Sequence, residues 1–194
     1  MLIVVGDVET TGLYVTKGDR VIEMGLIAYD TEQQKIVGTL EKRYNNEGRA
    51  INKKSQGVHG ISAEDLKDVP PWTMQDAVQL NNLFRKADLL VAHNLEFDLN
   101  FIYEEIGRFV PDNELSDINT FCTYNDSRAL AYEGKKPSLK ELAFCCGVEY
   151  DEARAHNALY DVEVTLESFL HSWRKGWFHK YCIEAPPFPR WEEL

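Results

Sequence analysis

The residues best suited to chemistry form three short segments, and the first begins with a pair of acids. Asp7 and Glu9 stand two residues apart at the end of an apolar run. Because side chains alternate across a β-strand, both carboxylates should project from one face while Val8 points away. Two carboxylates so close repel each other, and such a pair is stable at neutral pH chiefly when a cation lies between the oxygens.

The turn Thr10-Thr11-Gly12 follows this pair directly. A turn rich in hydroxyls and glycine lets backbone amides approach a phosphate or a terminal sugar closely. For an isolated Asp-x-Glu pattern, a solvated strand end is the simpler interpretation. The apolar strand before the acids and the turn after them favour a cation site instead.

The second segment, residues 93–98, lies between a short apolar run and a helical pattern. Open α/β sheets place their ligands where a strand ends and a helix begins. Asp98 is therefore a candidate cation ligand, and its alternative role is to cap the helix N-terminus. His93 is interpreted as a structural residue.

The third segment, residues 156–161, opens a long amphipathic pattern. If His156 and Asp161 were both helical, they would lie about 140° apart around the axis and could not share one target. His156 is therefore expected on a non-helical lead-in beside Asp161. An imidazole next to a carboxylate-bound cation suits a general base that takes a proton from a polarised water. Taken separately, the two residues also fit a helix-entry histidine and a surface aspartate.

The apolar pattern predicts the elements that must position these segments. Strands are predicted at residues 2–8, 21–29, 35–44, 89–92 and 118–123. The short link at residues 30–34 indicates a hairpin, so the sheet begins antiparallel. Helix faces recur at spacings of three and four over residues 74–87, 99–106, 139–143 and 159–173. This order indicates an α/β protein whose mixed five-stranded sheet is covered by helices on both faces.

One domain is predicted from residue 1 to residue 175, followed by a C-terminal extension at 176–194. The extension carries Pro186, Pro187 and Pro189, so it should be extended or packed on the domain rather than helical. No segment approaches the roughly 20 apolar residues of a membrane helix, and the start of the chain is too short and acidic for a secretory signal. A cytoplasmic protein without membrane contact is expected.

The charge and cysteine content limit the classes of function. The net charge is −11, which is unfavourable for a protein that holds nucleic acid by charge alone. Any such contact should be local and assisted by cations. The four cysteines show neither Cys-x-x-Cys pairing nor a histidine at zinc spacing, so they indicate neither a disulfide framework nor a zinc site.

Together the three segments resemble, in order and spacing, the three motifs of the DEDDh exonucleases, a ribonuclease H-like family that includes the proofreading epsilon subunit of bacterial DNA polymerase III. The matching patterns are Asp7-x-Glu9-Thr10-Thr11-Gly12, Asn94-x-x-Phe97-Asp98 and His156-x-Ala158-x-x-Asp161. The resemblance covers about residues 2–173, and residues 58–62 and 138–142 also look like segments of epsilon-type members. Each motif alone is a weak to moderate signal, and their conjunction carries the assignment.

The resemblance implies a 3′-to-5′ exonuclease that releases nucleoside 5′-monophosphates from a strand with a free 3′ end. By the same resemblance, Asp7, Glu9, Asp98 and Asp161 would hold two divalent cations with Asp7 bridging them, and His156 would deprotonate the attacking water. An all-oxygen carboxylate site suits Mg²⁺, with Mn²⁺ as a substitute. Bound cations would locally reverse the sign of the acidic surface.

Five residues are candidates for contacting the terminal nucleotide, with Leu13 wedged against the last base: Thr10, Thr11, Leu13, Asn94 and Phe97. Turn formation or core packing is the alternative in each case. Nothing in the motifs reads a 2′-hydroxyl, so an exoribonuclease of the ribonuclease T or oligoribonuclease type is an alternative. The closer likeness to epsilon favours DNA.

A polymerase or another replication protein is a candidate partner. From a different class, the chain could be a polymerase-associated interaction subunit that docks through its proline-rich tail. A retired active site should have lost an acidic ligand or the histidine, and all five residues are present.

Overall fold

A five-stranded mixed sheet forms the centre of the computed structural model, which describes residues 1–111, 113, 118–127 and 134–177. The strands are β1 (Leu2–Thr10), β2 (Val21–Asp30), β3 (Lys35–Arg43), β4 (Leu89–Ala92) and β5 (Thr120–Cys122). Their order across the sheet is β3-β2-β1-β4-β5. The first three strands pair antiparallel, whereas β4 runs parallel to β1 and β5 parallel to β4. The predicted mixed sheet and its hairpin are confirmed.

Seven α-helices and one 3₁₀ turn surround the sheet in the described residues. They are α1 (Lys53–His59), α2 (Ala63–Leu66), α3 (Met74–Lys86), α4 (Leu95–Gly107), α5 (Thr123–Asp126), α6 (Leu139–Cys146) and α7 (Ala158–Arg174), with the 3₁₀ turn at Val15–Lys17. The periodic pattern predicted α3, α4, α6 and α7. The short helices α1, α2 and α5 were not predicted, because one or two turns are too brief to establish a period.

The two faces of the sheet carry separate apolar cores, as the alternation of β2 shows. Met24 and Leu26 pack on one face with residues of α3 and α4, including Phe84. Ile27 packs on the other face with residues of α7, including Trp173. Helices therefore cover both faces, and the sheet holds α4 and α7 in place on opposite sides of β1.

The beginning of α7 lies unusually close to the sheet at Gly25 of β2. A Cβ at this position would stand 2.5 Å from the backbone of Ala158 and Leu159. Only glycine permits this approach, because any side chain atom would collide with helix backbone that cannot yield. The distance between β2 and the first turn of α7 is therefore fixed by the absence of a side chain.

After α7 the described residues end at Trp177. Trp177 donates its backbone N–H to Ser172 O at 3.0 Å and packs near α6. The predicted extension from 176 otherwise falls at 178–194, outside the described residues, so its conformation stays a prediction. In the described part of the chain Cys122, Cys145 and Cys146 are free thiols. No helix among the described residues is long and apolar enough to cross a membrane.

We expect Gly25→Ala to lower the free energy of unfolding by about 1–3 kcal/mol, because the added methyl must push α7 away from β2. Urea denaturation monitored by circular dichroism measures the change. Gly38→Ala is the matched control on β3, where a Cβ would be 3.7 Å from that of Ala28. That control should stay within about 0.5 kcal/mol of wild type. Equal effects at the two positions would contradict the close approach.

Candidate active site

A cleft of about 500 Å³ opens at the carboxyl ends of the parallel strands β1 and β4. Nine of the predicted site residues line it: Asp7, Glu9, Thr10, Leu13, Asn94, Phe97, Asp98, His156 and Asp161. They come from the end of β1, the start of α4 and the start of α7. The fold thus brings all four acids and the histidine to one place.

Asp98 reaches the cleft from within α4. It is the fourth residue of that helix, it is buried, and its Oδ1 accepts the backbone N–H of Val8 at 3.2 Å. The helix begins after Asn94, whose backbone is left-handed and whose side chain makes no capping bond. The capping alternative for Asp98 is therefore wrong, and the carboxylate instead ties α4 to β1 between Asp7 and Glu9.

His156 lies outside α7, as the angular argument required. Its backbone φ is 64°, and the helix begins at Ala158 after Asn157, whose side chain accepts the N–H of Tyr160. The backbone N–H of His156 donates to Asp161 Oδ2 at 3.1 Å. This bond joins the exposed histidine to the buried aspartate at the head of the helix.

Glu9, His156 and Asp161 come closest together. Each offers a ligand atom, and these atoms all lie within 4.8 Å of one another. Asp161 is more than nine-tenths buried, and its Oδ1 has no hydrogen-bond partner in the described residues. A buried carboxylate oxygen without a partner is costly unless a positive charge meets it. The oxygen donors, with one imidazole beside them, fit a hard divalent cation.

The electrostatics of the cleft show the same need for positive charge. Burial, followed by the charges of Asp161 and Glu23, raises the pKa of Asp7 to about 8. Burial and the neighbouring carboxylates, Asp7 foremost, raise the pKa of Glu9 to about 10. Burial also raises the pKa values of Asp98 and Asp161. Without a cation the cleft would hold protons at neutral pH, and a bound cation would displace them.

The residues proposed to contact a nucleotide divide into two groups. Leu13 is 59% exposed and Asn94 is exposed, whereas Phe97 is half-buried against Phe101. Thr10 lines the cleft, although its hydroxyl donates to Gly12 O at 2.6 Å. These four residues all line the cleft.

Thr11 does not face the cleft. Its side chain is fully buried, its hydroxyl accepts the N–H of Arg20, and its own N–H donates to Arg20 O. The expected contact of this side chain with substrate is therefore corrected to a structural role. The hydroxyl and the backbone N–H of Thr11 both bond Arg20, and these bonds hold the turn against the start of β2.

Two residues beside the cleft, Glu23 and His59, were not predicted from the sequence. Glu23 is buried on β2 directly opposite Glu9. An acid within a strand that is otherwise buried was the signal that could have found it. His59 accepts the N–H of Ile61 at Nδ1, so its Nε2–H donates to Thr10 O at 3.2 Å. Its place in residues 58–62 was visible, but its contact was not.

His93 also lines the cleft, and its contacts are those expected of a structural residue. Its Nδ1 lies 3.0 Å from the hydroxyl of Thr123, and its ring makes an edge contact with Tyr124. Burial lowers the pKa of His93 to about 4, so the ring is neutral at physiological pH. It supports the edge of the cleft and offers no charge to a substrate.

Comparison with known proteins gives this geometry a context. A family model described as Exonuclease matches residues 4–169. The epsilon subunit of DNA polymerase III from Salmonella typhimurium is 33% identical over 177 residues, covering 86% of this chain and 69% of that protein. The Escherichia coli epsilon subunit is 32% identical over 176 residues with the same coverage.

Solved structures share the fold. Exonuclease I of E. coli, in complex with a dT13 oligonucleotide, superposes with a TM-score of 0.73 at 18% identity. The match covers 92% of this chain and 43% of that one, so the present chain spans less than half of exonuclease I. Exonuclease X, in complex with 5′ overhanging duplex DNA, gives a TM-score of 0.61 at 22% identity and covers 92% and 96% of the two chains.

We expect the cation-free protein to lose stability as the pH rises from about 7 to about 9. Asp7 and Glu9 have higher pKa values in the folded chain than their ordinary values of 3.8 and 4.5, so the folded state binds more protons. Stability therefore falls with rising pH across this span, which lies above the titration of the buried histidines. Thermal unfolding in EDTA measures the decline.

Two comparisons isolate the cause of that decline. Mg²⁺ should flatten the pH dependence, because the cation replaces the protons. Asp7→Asn in EDTA should make the decline shallower, because the amide does not titrate and Glu9 is left as the remaining raised carboxyl. A cation-free protein that becomes more stable between these pH values would contradict the electrostatic description of the cleft.

Proposed function

The chain belongs to the DEDDh family of 3′-to-5′ exonucleases, and from this membership we propose that it hydrolyses the terminal phosphodiester of a DNA strand. The products would be nucleoside 5′-monophosphates. One observation carries the proposal: Asp7, Glu9, Asp98, Asp161 and His156, distant in sequence, line a single cleft. A retired site would not keep four acids together, two of them buried, at such an electrostatic cost.

The four carboxylates are the groups that would hold two divalent cations, with Mg²⁺ the preferred ion. When bound, such a pair polarises the attacking water and offsets the charge that develops on the leaving 3′ oxygen. The buried Asp161 oxygen without a partner supports this role. Val8 N–H holds Asp98 and His156 N–H holds Asp161, so both acids keep their orientation before any ion arrives.

His156 would act as the general base. Its ring is exposed at the cleft while its backbone is fixed to Asp161 by the 3.1 Å bond. Histidine is the side chain that most readily exchanges a proton near neutral pH, so it can take the proton of the attacking water. An imidazole also binds metals, and its ligand atom lies near those of Glu9 and Asp161. Base and ligand roles are therefore separable only by measurement.

The terminal nucleotide would sit between the β1 turn and the start of α4. Leu13 would pack against the last base from the exposed rim, and Asn94 and Phe97 would contact the sugar and base from α4. Thr10 would contact the nucleotide with its hydroxyl oxygen, which can still accept a hydrogen bond while the hydroxyl donates to Gly12 O. A single strand, or a frayed duplex end, is the form that delivers one unpaired nucleotide to this cleft.

DNA is favoured over RNA by the relatives. The matched proteins are subunits of a DNA polymerase, and the similar structures were solved with DNA. None of the contacts proposed for the described cleft distinguishes ribose from deoxyribose through the 2′-hydroxyl, so an exoribonuclease is the second candidate activity. The relatives' polymerase also supports a replication partner and a cytoplasmic location for this chain. An interaction subunit that docks through its tail would concern residues 178–194, outside the described part.

We expect the protein to shorten a 5′-labelled single-stranded DNA oligonucleotide one nucleotide at a time in Mg²⁺, because the site accepts one terminal linkage per cycle. Denaturing gels measure the ladder, and chromatography identifies the mononucleotides. EDTA and Asp7→Ala should each abolish the reaction, whereas Glu32→Ala, at an exposed glutamate outside the cleft, should not. Faster digestion of RNA of the same sequence would favour the exoribonuclease, and endonucleolytic fragments would contradict both.

We expect His156→Ala to lower kcat by about 100-fold to 10,000-fold, the usual contribution of a general base. Its affinity for Mn²⁺, measured by calorimetry, should remain close to wild type, because the four carboxylates stay in place. An equal loss of kcat and of Mn²⁺ affinity would show that His156 is a ligand. In Asp161→Asn, by contrast, the Mn²⁺ affinity itself should fall.

A further inference from the structure

Three charged residues form a row across the sheet, next to the cleft. In the strand register Glu9 of β1 pairs with Glu23 of β2, and Glu23 pairs with Arg43 of β3. Side chains at paired positions lie on the same face of a sheet. The row therefore runs from a carboxylate of the active site, through a second buried carboxylate, to a guanidinium that is about half exposed.

Both carboxylate oxygens of Glu23 are already bound. Oε1 accepts Arg43 Nε–H at 2.7 Å, and Oε2 accepts the backbone N–H of Ala158 at 3.3 Å. The residue is 2% exposed. This separates Glu23 from Asp161, whose buried Oδ1 has no partner among the described residues, because each Glu23 oxygen is already engaged by a donor of the fold.

Ala158 is the residue that makes this bond important, because it is the first residue of α7. The N–H groups of a first turn have no partner within the helix, so an acceptor from another element fixes where the helix starts. Two further contacts act on the same turn. Asn157 Nδ2 donates to Glu41 Oε1 at 3.0 Å, and Gly25 admits the helix backbone to close range.

The anchored turn carries the site residues of α7. His156 precedes Ala158 by two residues and Asp161 follows it by three. The His156 N–H bonds Asp161, so the two residues move with the turn as one unit. A shift of the helix start along the sheet would therefore displace both groups from Glu9 at once.

We infer that Glu23 is a positioning residue, which fixes the start of α7 on β2 so that His156 and Asp161 face Glu9. The inference rests on the proposed exonuclease activity of the same cleft. Arg43 offsets the negative charge that Glu23 adds beside the four acids and holds the Glu23 side chain in the sheet row. The length of the Glu23 side chain, which brings an oxygen to the Ala158 N–H, is the property that matters for positioning. Its negative charge is neutralised by Arg43 and is not needed for this role.

Two substitutions separate reach from charge. Glu23→Gln keeps the length of the side chain and an oxygen for the Ala158 N–H, but it loses the charge. Glu23→Asp keeps the charge for Arg43, but it shortens the side chain and withdraws from Ala158. If positioning depends on reach, Glu23→Asp should be the impaired variant and Glu23→Gln the active one.

The matched control is Asp76→Ala, since Asp76 has the same kind of partners on the opposite side of the sheet. Its carboxylate is buried, forms an ion pair with Lys42 of β3, and accepts the backbone N–H of Thr73 at the start of α3. Its loss should lower the melting temperature without moving α7. The control therefore shows how kcat responds when a buried, ion-paired acid is lost and stability falls but α7 is not displaced.

The test compares the full-length variants by amide hydrogen exchange of Ala158 and by steady-state kinetics on a single-stranded DNA oligonucleotide in Mg²⁺. In Glu23→Asp the Ala158 amide should exchange at least about tenfold faster, and kcat should fall about tenfold or more because the reacting groups are misplaced. KM should change by no more than about twofold, because the nucleotide contacts from β1 and α4 remain. Glu23→Gln and Asp76→Ala should keep Ala158 protection and kcat near wild type.

Three results would overturn the inference. The first is an equal loss of kcat in Glu23→Asp and Glu23→Gln. The second is a loss of kcat in Glu23→Asp while the Ala158 amide stays protected from exchange, and the third is a lower melting temperature of Glu23→Asp with no change in kcat. If wild-type protein does not digest DNA, the proposed function fails, while the Ala158 exchange rates still decide whether Glu23 anchors the helix.

Discussion

Repulsion between carboxylates in a common cleft is the constraint on which this structure depends. Asp7, Glu9, Asp98 and Asp161 are brought together by β1, α4 and α7, and burial makes each negative charge harder to hold. The backbone N–H groups of Val8 and His156 donate to Asp98 and Asp161. These bonds fix the direction of the carboxylate oxygens, but they supply no full positive charge. The cleft is therefore assembled in advance for a cation, whose binding removes the repulsion and strengthens the fold.

The framework of the site was visible in the sequence because its signals are local. Hydrophobic periodicity predicted five strands and four of the helices, and the spacing of His156 and Asp161 required a non-helical lead-in before α7. The functions of Thr11 and Glu23 were not visible. The hydroxyl of Thr11 is taken by the backbone of Arg20, and the partners of Glu23 lie 20 and 135 residues away. Such pairings depend on the folded arrangement of strands and helices, which no single segment encodes.

Rigid and exposed parts of the cleft serve different tasks. The acids stand on β1, α4 and α7, whose backbones are fixed by the sheet and by helix packing. Leu13, in contrast, belongs to an exposed rim of the cleft, where 59% of the residue is accessible. Accurate placement is needed for the reacting groups, whereas a rim that meets any terminal base gains from adaptable contacts.

The left-handed backbone at Asn94 and His156 has an evolutionary consequence. Both residues adopt positive φ values, 112° and 64°, at the two helix entries that border the cleft. This conformation is unfavourable for residues with a side chain and natural for glycine, so the molecule retains local strain at both places. A descendant released from catalysis would gain stability by acquiring glycine at either position. Glycine at either entry would relieve this strain, but the cleft would lose the amide or the imidazole that the residue presents.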